Sequence, residues 1–348
     1  MILSHITLQH FRNFPKASCN VHPNMTIIIG ENARGKTNLL ESIFFSMNGE
    51  GFRETKEEEL LEWGASDAYV ETVWTEGDQK NLFQIHLARR EERTEKKFYV
   101  DKTLKSHFQY RQYLGKAVLF APEHIEIISG PPDKRRDYIN KIISLYSIEY
   151  KKTLRNYEHA LRKRNKVLEH HQNIASLKQE LSFWDTYLIE HAEYIRKERE
   201  AYVAYINSHP DLQGNHFHLK YMKNELNRAR LDHYFDLETK TRKTVVGPQK
   251  DDFQISLTKE EVEKNIHHFG SRSEQRLGVY WLKLNEIQYL EEYFKKRPIL
   301  LLDDIFSELD MKNKRLTMEL TSKYQTVLTT TEAELLHLSH LPQSSIAL

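Results

Sequence analysis

The residues best suited to chemistry form one short run, which contains two glycines five positions apart and ends in a lysine and a threonine. Glycine lets backbone N–H groups turn inward, lysine supplies a positive charge, and a threonine hydroxyl is a ligand for Mg²⁺. These residue types predict a loop that cradles the phosphates of a nucleotide. The residues assigned to the nucleotide are this loop and the next position: Gly30, Glu31, Asn32, Ala33, Arg34, Gly35, Lys36, Thr37 and Asn38.

The segments on either side of the loop carry the pattern that such a loop requires. Residues 27–29 are apolar and β-branched, as in a buried strand, and residues 39–44 carry apolar side chains at helical spacing. Lys36 and Thr37 then belong to the first turn of a helix, whose N-terminus attracts anions. The alternative is a glycine loop that only turns the chain, but it does not account for the strand and the helix.

A second apolar run, residues 299–302, ends in the two acids Asp303 and Asp304. Acids at the end of a buried strand are where a phosphate-loop ATPase holds its magnesium ion and orients the attacking water. Asp303 is therefore predicted to hold Mg²⁺ together with Thr37, with Asp303 bound to the ion directly or through water. Asp304, as the base that polarises the water, and Lys36 are the predicted catalytic residues. The alternative is a strand that simply emerges into solvent, since acids commonly follow strands.

Composition indicates a globular protein with two lobes, because 348 residues exceed what one hydrophobic core usually serves. The net charge of +1 gives no long-range attraction to nucleic acid, so such binding depends on local patches. A single cysteine excludes a disulfide framework and a cysteine-rich zinc site. No apolar run approaches the roughly 18 to 20 residues that span a bilayer, and the first residues lack the order of a signal peptide. The sequence therefore predicts a cytoplasmic protein without membrane contact.

Hydrophobic periodicity divides the chain into three sections. Strand patterns dominate residues 1–115, helical spacing dominates residues 116–240, and residues 241–348 return to strands and helices. The predicted fold is α/β, with a mixed sheet in the outer sections and a mostly helical second lobe inserted between them. A hairpin of long helices is expected in that lobe, and residues 244–247 are expected to form a strand. The last five residues have too little pattern to say whether a final strand completes the sheet.

Four further blocks are spread along the chain: residues 8–14 (LQHFRNF), 130–140 (GPPDKRRDYIN), 246–252 (VGPQKDD) and 302–310 (LDDIFSELD). In content and order they resemble the RecF family, the DNA-repair members of the ABC-type ATPases related to chromosome-maintenance proteins. The resemblance runs from about residue 2 to about residue 331. It implies an ABC-type P-loop ATPase head built from the two outer sections, with the helical lobe inserted.

The resemblance also implies that Arg12 and Asn13 contact the nucleotide, and that Asp310 belongs to the loop after the acid-ended strand. Thr330 falls where a switch residue follows the last strand. Residues 269–276 (FGSRSEQR) correspond to the ABC signature.

In such proteins two heads pack head to tail, so that the signature contacts the γ-phosphate held by the opposite loop. The signature residues implied to contact ATP are Ser271, Arg272 and Gln275. The family usually has glycine where this chain has Ser273, and a Cβ there limits how closely a phosphate approaches the backbone. Ser273 is therefore expected to weaken engagement of the signature relative to the family.

One predicted helix carries a basic run in which Glu149 and Glu158 are the only acids. Positions 151, 155, 162 and 166 are spaced to share a face, which predicts a stripe along a DNA phosphate backbone. The alternative is a solvated helix face. Residues 134–136 could extend the stripe, or one of these arginines could be a buried partner that ties the lobes together. The residues assigned to DNA are Lys151, Lys152, Arg155, Arg162, Lys163, Arg164 and Lys166.

The sequence does not indicate sequence-specific recognition of DNA bases, because no helix-turn-helix, zinc finger or exposed aromatic motif of the single-strand-binding type is evident. The resemblance implies a slow, DNA-stimulated ATPase that uses ATP and Mg²⁺. ATP would join two copies into a homodimeric clamp on duplex, gapped or junction DNA, and hydrolysis would release it. The implied setting is the nucleoid, in replication and recombinational repair, with the mediators RecO and RecR as partners.

The alternative is a nucleotide-binding DNA scaffold with little or no hydrolysis, because Ser273 and the short side chain of Asp304 weaken the chemistry. Many ABC proteins have glutamate in place of Asp304. An ATPase subunit of a membrane transporter lacks a long helical lobe in this position. A small-molecule kinase accounts for the phosphate loop but not for the signature or for the acids so far downstream.

Overall fold

A computed structural model describes residues 1–53, 56–91, 93–171, 173–259, 261–306, 311–331 and 343–348. The chain forms two compact units. The first combines Met1–Glu123 with Glu286–Leu348, and the second is His124–Asn285. These limits differ from the predicted boundaries at residues 115 and 240. A strand at Ala117–Phe120 pairs within the first unit, and a strand at Asp252–Lys259 pairs within the second, so sheet pairing moves both boundaries toward the C-terminus.

The strands are β1 (Ile2–Phe11), β2 (Phe14–Asn20), β3 (Met25–Ile29), β4 (Asp67–Glu76), β5 (Gln79–Arg90), β6 (Arg93–Val100), β7 (Thr103–Lys105), β8 (Ala117–Phe120), β9 (Asp211–Leu212), β10 (Asn215–Met222), β11 (Asp252–Lys259), β12 (Val262–Asn265), β13 (Ile299–Asp303), β14 (Thr326–Thr330) and β15 (Gln343–Ala347). The α-helices are α1 (Lys36–Asn48), α2 (His107–Tyr113), α3 (Glu126–Ser129), α4 (Pro132–Tyr146), α5 (Ile148–His170), α6 (Ile174–Asn207), α7 (Arg228–Thr241), α8 (Ile266–Phe269), α9 (Arg272–Phe294) and α10 (Met311–Thr321). Short 3₁₀ helices lie at Glu57–Leu60, Pro122–Ile125 and Pro248–Lys250.

A parallel sheet in the first unit carries the phosphate loop and the paired acids. Its strand order is β15-β3-β14-β13-β8, and every neighbouring pair is parallel. The strands are short and apolar because parallel strands are covered on both faces, as the buried Leu300, Leu301 and Leu302 show. The last strand, β15, pairs with β3 and extends the sheet at its edge, which the sequence pattern did not establish.

An antiparallel sheet of six strands completes the first unit, in the order β2-β1-β4-β5-β6-β7. Along β4, buried and half-exposed residues alternate, as expected for a sheet with one covered face. Its covered face shares a core with α1, in which Leu3, Val70, Ile85 and Phe45 are fully buried. The predicted α/β architecture is therefore confirmed, although its parallel and antiparallel strands form separate sheets.

The second unit contains the long helices α4, α5 and α6 together with a four-stranded antiparallel sheet, β12-β11-β10-β9. Helices α5 and α6 form the expected hairpin, in which Tyr157, Leu168, Leu181 and Leu188 are buried. The Ser147 side chain accepts a hydrogen bond from Tyr150 N and caps α5. No described helix is long and apolar enough to cross a bilayer.

The strand predicted at residues 244–247 is wrong, because this segment lies between α7 and a 3₁₀ turn without pairing to a strand. Side chains take the place of a neighbouring strand. Thr244 N donates to Asn165 Oδ1 (2.9 Å), Val245 N donates to Glu238 Oε1 (2.9 Å), and Gly247 N donates to Asn224 Oδ1 (3.2 Å). Three of its four backbone donors are thus satisfied without a sheet.

Candidate functional site

The phosphate loop connects β3 to α1, and its second glycine has a steric role. Gly35 has a φ of +105°, in the left-handed region that favours glycine. A Cβ at this position would lie 2.6 Å from the Asn13 Nδ2 atom. Helix α1 begins at the next residue, and Leu39 N donates to Gly35 O at 2.9 Å. Residues 31–34 are exposed, so this part of the loop is open to a ligand.

Lys36 is buried, with 7% of its surface exposed. Its Nζ donates hydrogen bonds to the carbonyl oxygens of Gly30, at 2.7 Å, and Glu31, at 3.0 Å. These neutral acceptors hold the ammonium group at the loop without cancelling its charge. Lys36 is therefore positioned to attract an anion such as a nucleotide phosphate.

Thr37 and Asp303 come together although they are far apart in sequence. The Thr37 hydroxyl donates to Asp303 Oδ1 at 3.0 Å, and the Thr329 hydroxyl donates to the same oxygen at 2.7 Å. Neighbouring oxygen ligands in an octahedral Mg²⁺ site lie about 2.9 Å apart. The Thr37 and Asp303 oxygens have this separation, and both are hard donors of the kind that Mg²⁺ prefers. These two residues therefore fit a magnesium ion.

Thr329 is a member of the site that the sequence analysis did not single out. It faces Asp303 in the parallel register of β13 and β14, and its hydroxyl also accepts a hydrogen bond from Asp304 N at 2.9 Å. Asp304 follows β13 with a φ of +46°, which turns the chain sharply after the strand. Thr330, the predicted switch residue, ends β14 and is 2% exposed. Asp310 lies outside the described residues.

The turn between β1 and β2 lies against the phosphate loop and carries Arg12 and Asn13. Asn13 Nδ2 donates to Arg34 O at 3.3 Å, and Asn38 Nδ2 donates to Asn13 Oδ1 at 2.8 Å. Arg12 Nε donates to Glu41 Oε2 at 2.8 Å, and Glu41 on α1 is fully buried. This ion pair fixes the turn to the helix that follows the phosphate loop. Periodicity along α1 does not identify Glu41, because its role depends on contact with Arg12 from another element.

The signature segment lies in the second unit, at the start of α9. Ser271 Oγ accepts from Glu274 N at 3.3 Å, and Glu274 Oε2 accepts from Ser271 N at 2.8 Å, which together form a capping box. Ser271, Arg272 and Ser273 are exposed. Gln275 is 7% exposed, and its Nε2 donates to Ile266 O at 3.0 Å. Ser271 and Arg272 are thus accessible to a ligand, whereas the Gln275 side chain anchors α8 to α9.

The basic residues assigned to DNA all lie on α5, as predicted. Lys152, Arg155, Arg162, Lys163 and Lys166 are exposed, and Lys151 is half-buried. The four positions expected to share a face are thus accessible to solvent to at least an intermediate degree.

Arg164 is different, because it is only 1% exposed. Its Nε donates to Asp185 Oδ1 at 2.7 Å, and its Nη2 lies 2.8 Å from Glu238 Oε2. Two carboxylates therefore neutralise this guanidinium inside the second unit. Its assignment to DNA is corrected, since helical spacing points this side chain toward α6 and α7.

Two of the family-like blocks meet inside the second unit through an ion pair and a hydrogen bond to the backbone. Arg135 is 7% exposed, and its Nε donates to Asp252 Oδ1 at 2.7 Å. Arg136 Nη1 donates to Asp251 O at 2.8 Å, and the Asp251 carboxylate pairs with the buried Arg199. Burial raises the pKa of Asp251, and the Arg199 charge opposes that rise. These arginines stabilise the second unit. Their pairs lie within that unit, so they do not tie the two units together, which one of the sequence interpretations expects.

A parallel sheet, a glycine loop that opens a helix, and a carboxylate from a nearby strand facing the loop threonine define a P-loop nucleotide-binding protein. Residues 2–342 match the family described as RecF/RecN/SMC N terminal domain. The DNA replication and repair protein RecF of Natranaerobius thermophilus is 30% identical over 362 residues, which cover 96% of this chain and 92% of that protein. The RecF of Clostridium novyi is 28% identical over 346 residues, covering 95% and 93%.

A solved structure of the recombination mediator protein RecF-ATP in the RecFOR pathway has a TM-score of 0.80 and 26% identity. The match covers 96% of this chain and 93% of that one. The chain therefore belongs to the RecF/RecN/SMC family. These relatives and this solved structure are RecF proteins. The resemblance and the ABC-type head predicted from the sequence are confirmed.

Proposed function

We propose that this protein is an ATP-dependent DNA-binding clamp that acts in DNA replication and recombinational repair. The convergence of Lys36, Thr37 and Asp303 carries the proposal. Lys36 supplies a positive charge for the phosphates, and Thr37 and Asp303 supply two oxygen ligands for Mg²⁺. The fold brings these groups together although Asp303 follows Thr37 by 266 positions. A bound Mg²⁺ would neutralise charge on the phosphates. Asp304, at the end of β13, orients the attacking water and accepts its proton.

Two copies share each nucleotide in this mechanism. One copy holds the phosphates at Lys36, and the other approaches with the N-terminus of α9, where Ser271 and Arg272 are exposed. A helix N-terminus and an arginine both favour an anion. ATP joins the copies because its γ-phosphate completes the interface, and ADP lacks that group. Hydrolysis then releases the clamp.

DNA binding is assigned to the exposed cations of α5. Arg155, Arg162 and Lys166 are exposed along one helix face, which suits contact with successive phosphates. Such contacts depend weakly on base sequence and strongly on salt. Duplex, gapped and junction DNA are all within the proposed range of substrates.

The setting follows from the relatives. The curated relatives are named DNA replication and repair proteins, and the solved structure with ATP is described as a recombination mediator in the RecFOR pathway. On this basis we propose that the protein works in the cytoplasm at damaged replication intermediates, with RecO and RecR as partners.

Sizing the protein by light scattering tests the clamp. The mass is measured with ATP, with ADP and without nucleotide, each with and without duplex DNA. ATP is expected to double the particle mass, and ADP is expected to leave it unchanged, because only ATP offers the bridging phosphate. Lys36→Ala serves as the control that cannot hold the phosphates. A mass that is the same in all three nucleotide states contradicts the clamp.

A nucleotide-binding scaffold with little hydrolysis is the second candidate, and Ser273 in the exposed first turn of α9 favours it. Phosphate release over many turnovers, with and without duplex DNA, separates the two functions. For an ATPase, Asp304→Asn should lower turnover by at least about a hundredfold, as expected for loss of a general base, and should accumulate the ATP-bound dimer. Fast turnover by Asp304→Asn contradicts the role of this residue, and negligible turnover by the unmodified chain favours the scaffold.

A further inference from the structure

Thr329 joins the two acids at the end of β13 through a single hydroxyl group. Its Oγ1 atom donates to Asp303 Oδ1 at 2.7 Å and accepts from Asp304 N at 2.9 Å. An ionised carboxylate only accepts hydrogen bonds and a backbone N–H only donates, so the direction of both bonds is fixed. The hydroxyl therefore holds the carboxylate assigned to Mg²⁺ and also the backbone of the residue assigned to the attacking water.

The surroundings of this hydroxyl keep it in place. Thr329 is 1% exposed and Asp303 is 6% exposed, so bulk water has little access to either side chain. Threonine is β-branched, which restricts the rotation of its side chain in a strand. Strand β14 lies between β13 and β3, and Thr329 is opposite Asp303 on one side and Ile28 on the other. Neighbouring strands on both sides thus fix the position of the hydroxyl.

A second threonine of β14 shows what a hydroxyl with a purely structural role does in this strand. Thr326 is 0% exposed, and its hydroxyl donates to Tyr324 O at 2.9 Å, two residues earlier in the chain. This local bond satisfies a buried hydroxyl. Thr329 instead bonds to a side chain of another strand, 26 positions away, and that side chain belongs to the nucleotide site. The difference indicates that Thr329 does more than satisfy its own hydroxyl.

A carboxylate that binds a metal ion is usually hydrogen-bonded by a further protein group, which fixes its orientation and supports its affinity for the ion. Two hydroxyls reach Asp303 Oδ1, from Thr329 and, at 3.0 Å, from Thr37. Thr37 is itself assigned to the ion. The Thr329 hydroxyl is engaged on both sides by groups of the protein, so it can orient Asp303 without acting as a ligand.

We propose that Thr329 is a positioning residue that sets the affinity of the nucleotide site for Mg²⁺ by holding the Asp303 carboxylate. The inference rests on the proposed function, because it concerns the ion that accompanies ATP at this site. The role depends on the hydroxyl and not on the branched shape of the side chain. Valine keeps that shape and should lose the role, whereas serine keeps the hydroxyl and should preserve it.

Binding of a fluorescent, non-hydrolysable ATP analogue at a series of Mg²⁺ concentrations measures this role without turnover. Thr329→Val should need at least about tenfold more Mg²⁺ than the parent for half of the Mg²⁺-dependent rise in affinity, as expected when a group that holds a metal ligand is removed. Thr329→Ser should stay within about threefold of the parent, because it retains the donor and the acceptor. Thr326→Val, the same substitution in the same strand, is the matched control and should respond to Mg²⁺ like the parent.

The same titration in EDTA shows whether the phosphate loop is intact. The parent and the three variants should bind the analogue within about twofold of one another, because Lys36 and the loop are unchanged. A loss of affinity in Thr329→Val that is equal with and without Mg²⁺ overturns the proposal, since valine then disturbs the site as a whole.

Removal of the carboxylate tests whether Thr329 acts through Asp303. In an Asp303→Ala background, addition of Thr329→Val should change the Mg²⁺ dependence by less than about twofold, because the group that the hydroxyl holds is already absent. A further loss as large as that of Thr329→Val alone would show that Thr329 affects the ion by another route, and it would overturn the assignment.

The outcomes for the parent separate this inference from the proposed function. Equal Mg²⁺ dependence in the parent and Thr329→Val overturns the positioning role while the nucleotide site stands. If valine prevents folding, Thr329→Ser decides the matter, because a parent-like Mg²⁺ response supports the role of the hydroxyl and a tenfold loss contradicts it. A parent whose affinity for the analogue does not respond to Mg²⁺ contradicts the proposed function itself.

Discussion

Lys36 in the first unit and Arg164 in the second are both buried cations, and their surroundings differ in charge. Lys36 Nζ donates to two carbonyl oxygens, from Gly30 and Glu31, which leave its charge uncompensated. Arg164 faces two carboxylates, those of Asp185 and Glu238. A buried charge must find compensation. The first cation can receive it from a bound phosphate, and the second already has it from the protein.

Lys116 in the first unit is a third buried cation, and its charge is treated differently from those of Lys36 and Arg164. It is 1% exposed, donates to Arg111 O at 3.2 Å, and lies 5.0 Å from the ring centroid of Phe294. Burial, together with the charges of Arg111 and Lys296, lowers the pKa of Lys116 to about 7. Among the residues that the structure describes, no carboxylate forms an ion pair with Lys116, so its ammonium group loses its proton more readily. The three sites teach that the partners of a buried cation decide whether it binds a ligand, stabilises the fold or loses its proton.

The largest expected effect comes from Arg164→Met. It leaves Glu238, which is 0% exposed, without the cation that faces it. Breaking a buried pair from one side costs about 3–5 kcal/mol, so urea denaturation should show a fall of that size in the free energy of unfolding. Arg162→Met on the same helix is the matched control, because Arg162 is exposed, and it should change stability by less than about 0.5 kcal/mol. Equal losses in the two variants would remove the distinction between Arg164 and its neighbours.

Lys36→Ala should have a smaller effect on a different quantity. It removes the charge-assisted hydrogen bonds to the phosphates, worth about 2–3 kcal/mol, so ATP affinity should fall roughly 30- to 150-fold. Isothermal titration calorimetry measures this change. Lys16→Ala, at an exposed position of β2, is the control and should bind ATP like the parent. Parent affinity in Lys36→Ala would show that the ammonium group does not serve the nucleotide.

Lys116→Met should change the pH dependence of stability. Because the folded-state pKa is about 7 and the ordinary value is 10.5, the unfolded chain binds more protons between these limits. The free energy of unfolding of the parent should therefore gain a rising contribution across this window, of at most about 1.4 kcal/mol per pH unit, and none below pH 7. Urea denaturation at several pH values measures the slope.

Lys116→Met should lack that contribution, whereas Lys97→Met, at an exposed position of β6, should retain it. A parent and a Lys116→Met variant with the same slope would mean that Lys116 stays charged inside the first unit. Lys116 would then be a buried lysine that keeps its positive charge, as Lys36 is.

Local pattern predicted the elements that carry the nucleotide site. The strands β3 and β13, the start of α1 and the hairpin of α5 and α6 appear where periodicity placed them, because each depends on side chains near in sequence. Residues 244–247 did not follow their strand pattern, since distant side chains satisfy their backbone donors. Local pattern also could not identify Glu41 and Thr329, because helix packing places Glu41 at the site and strand register places Thr329 there.

The sequence by itself determined the chemistry of the phosphate loop and the acids after β13, because residue types and short spacing specify what a strand end can bind. Tertiary structure alone decided which charges remain available. Arg162 and Arg164 are the same residue type two positions apart on one helix, and only the packing of α5 against α6 and α7 exposes the first and pairs the second with carboxylates. Burial and charge compensation are properties of the assembled fold, so no local pattern contains them.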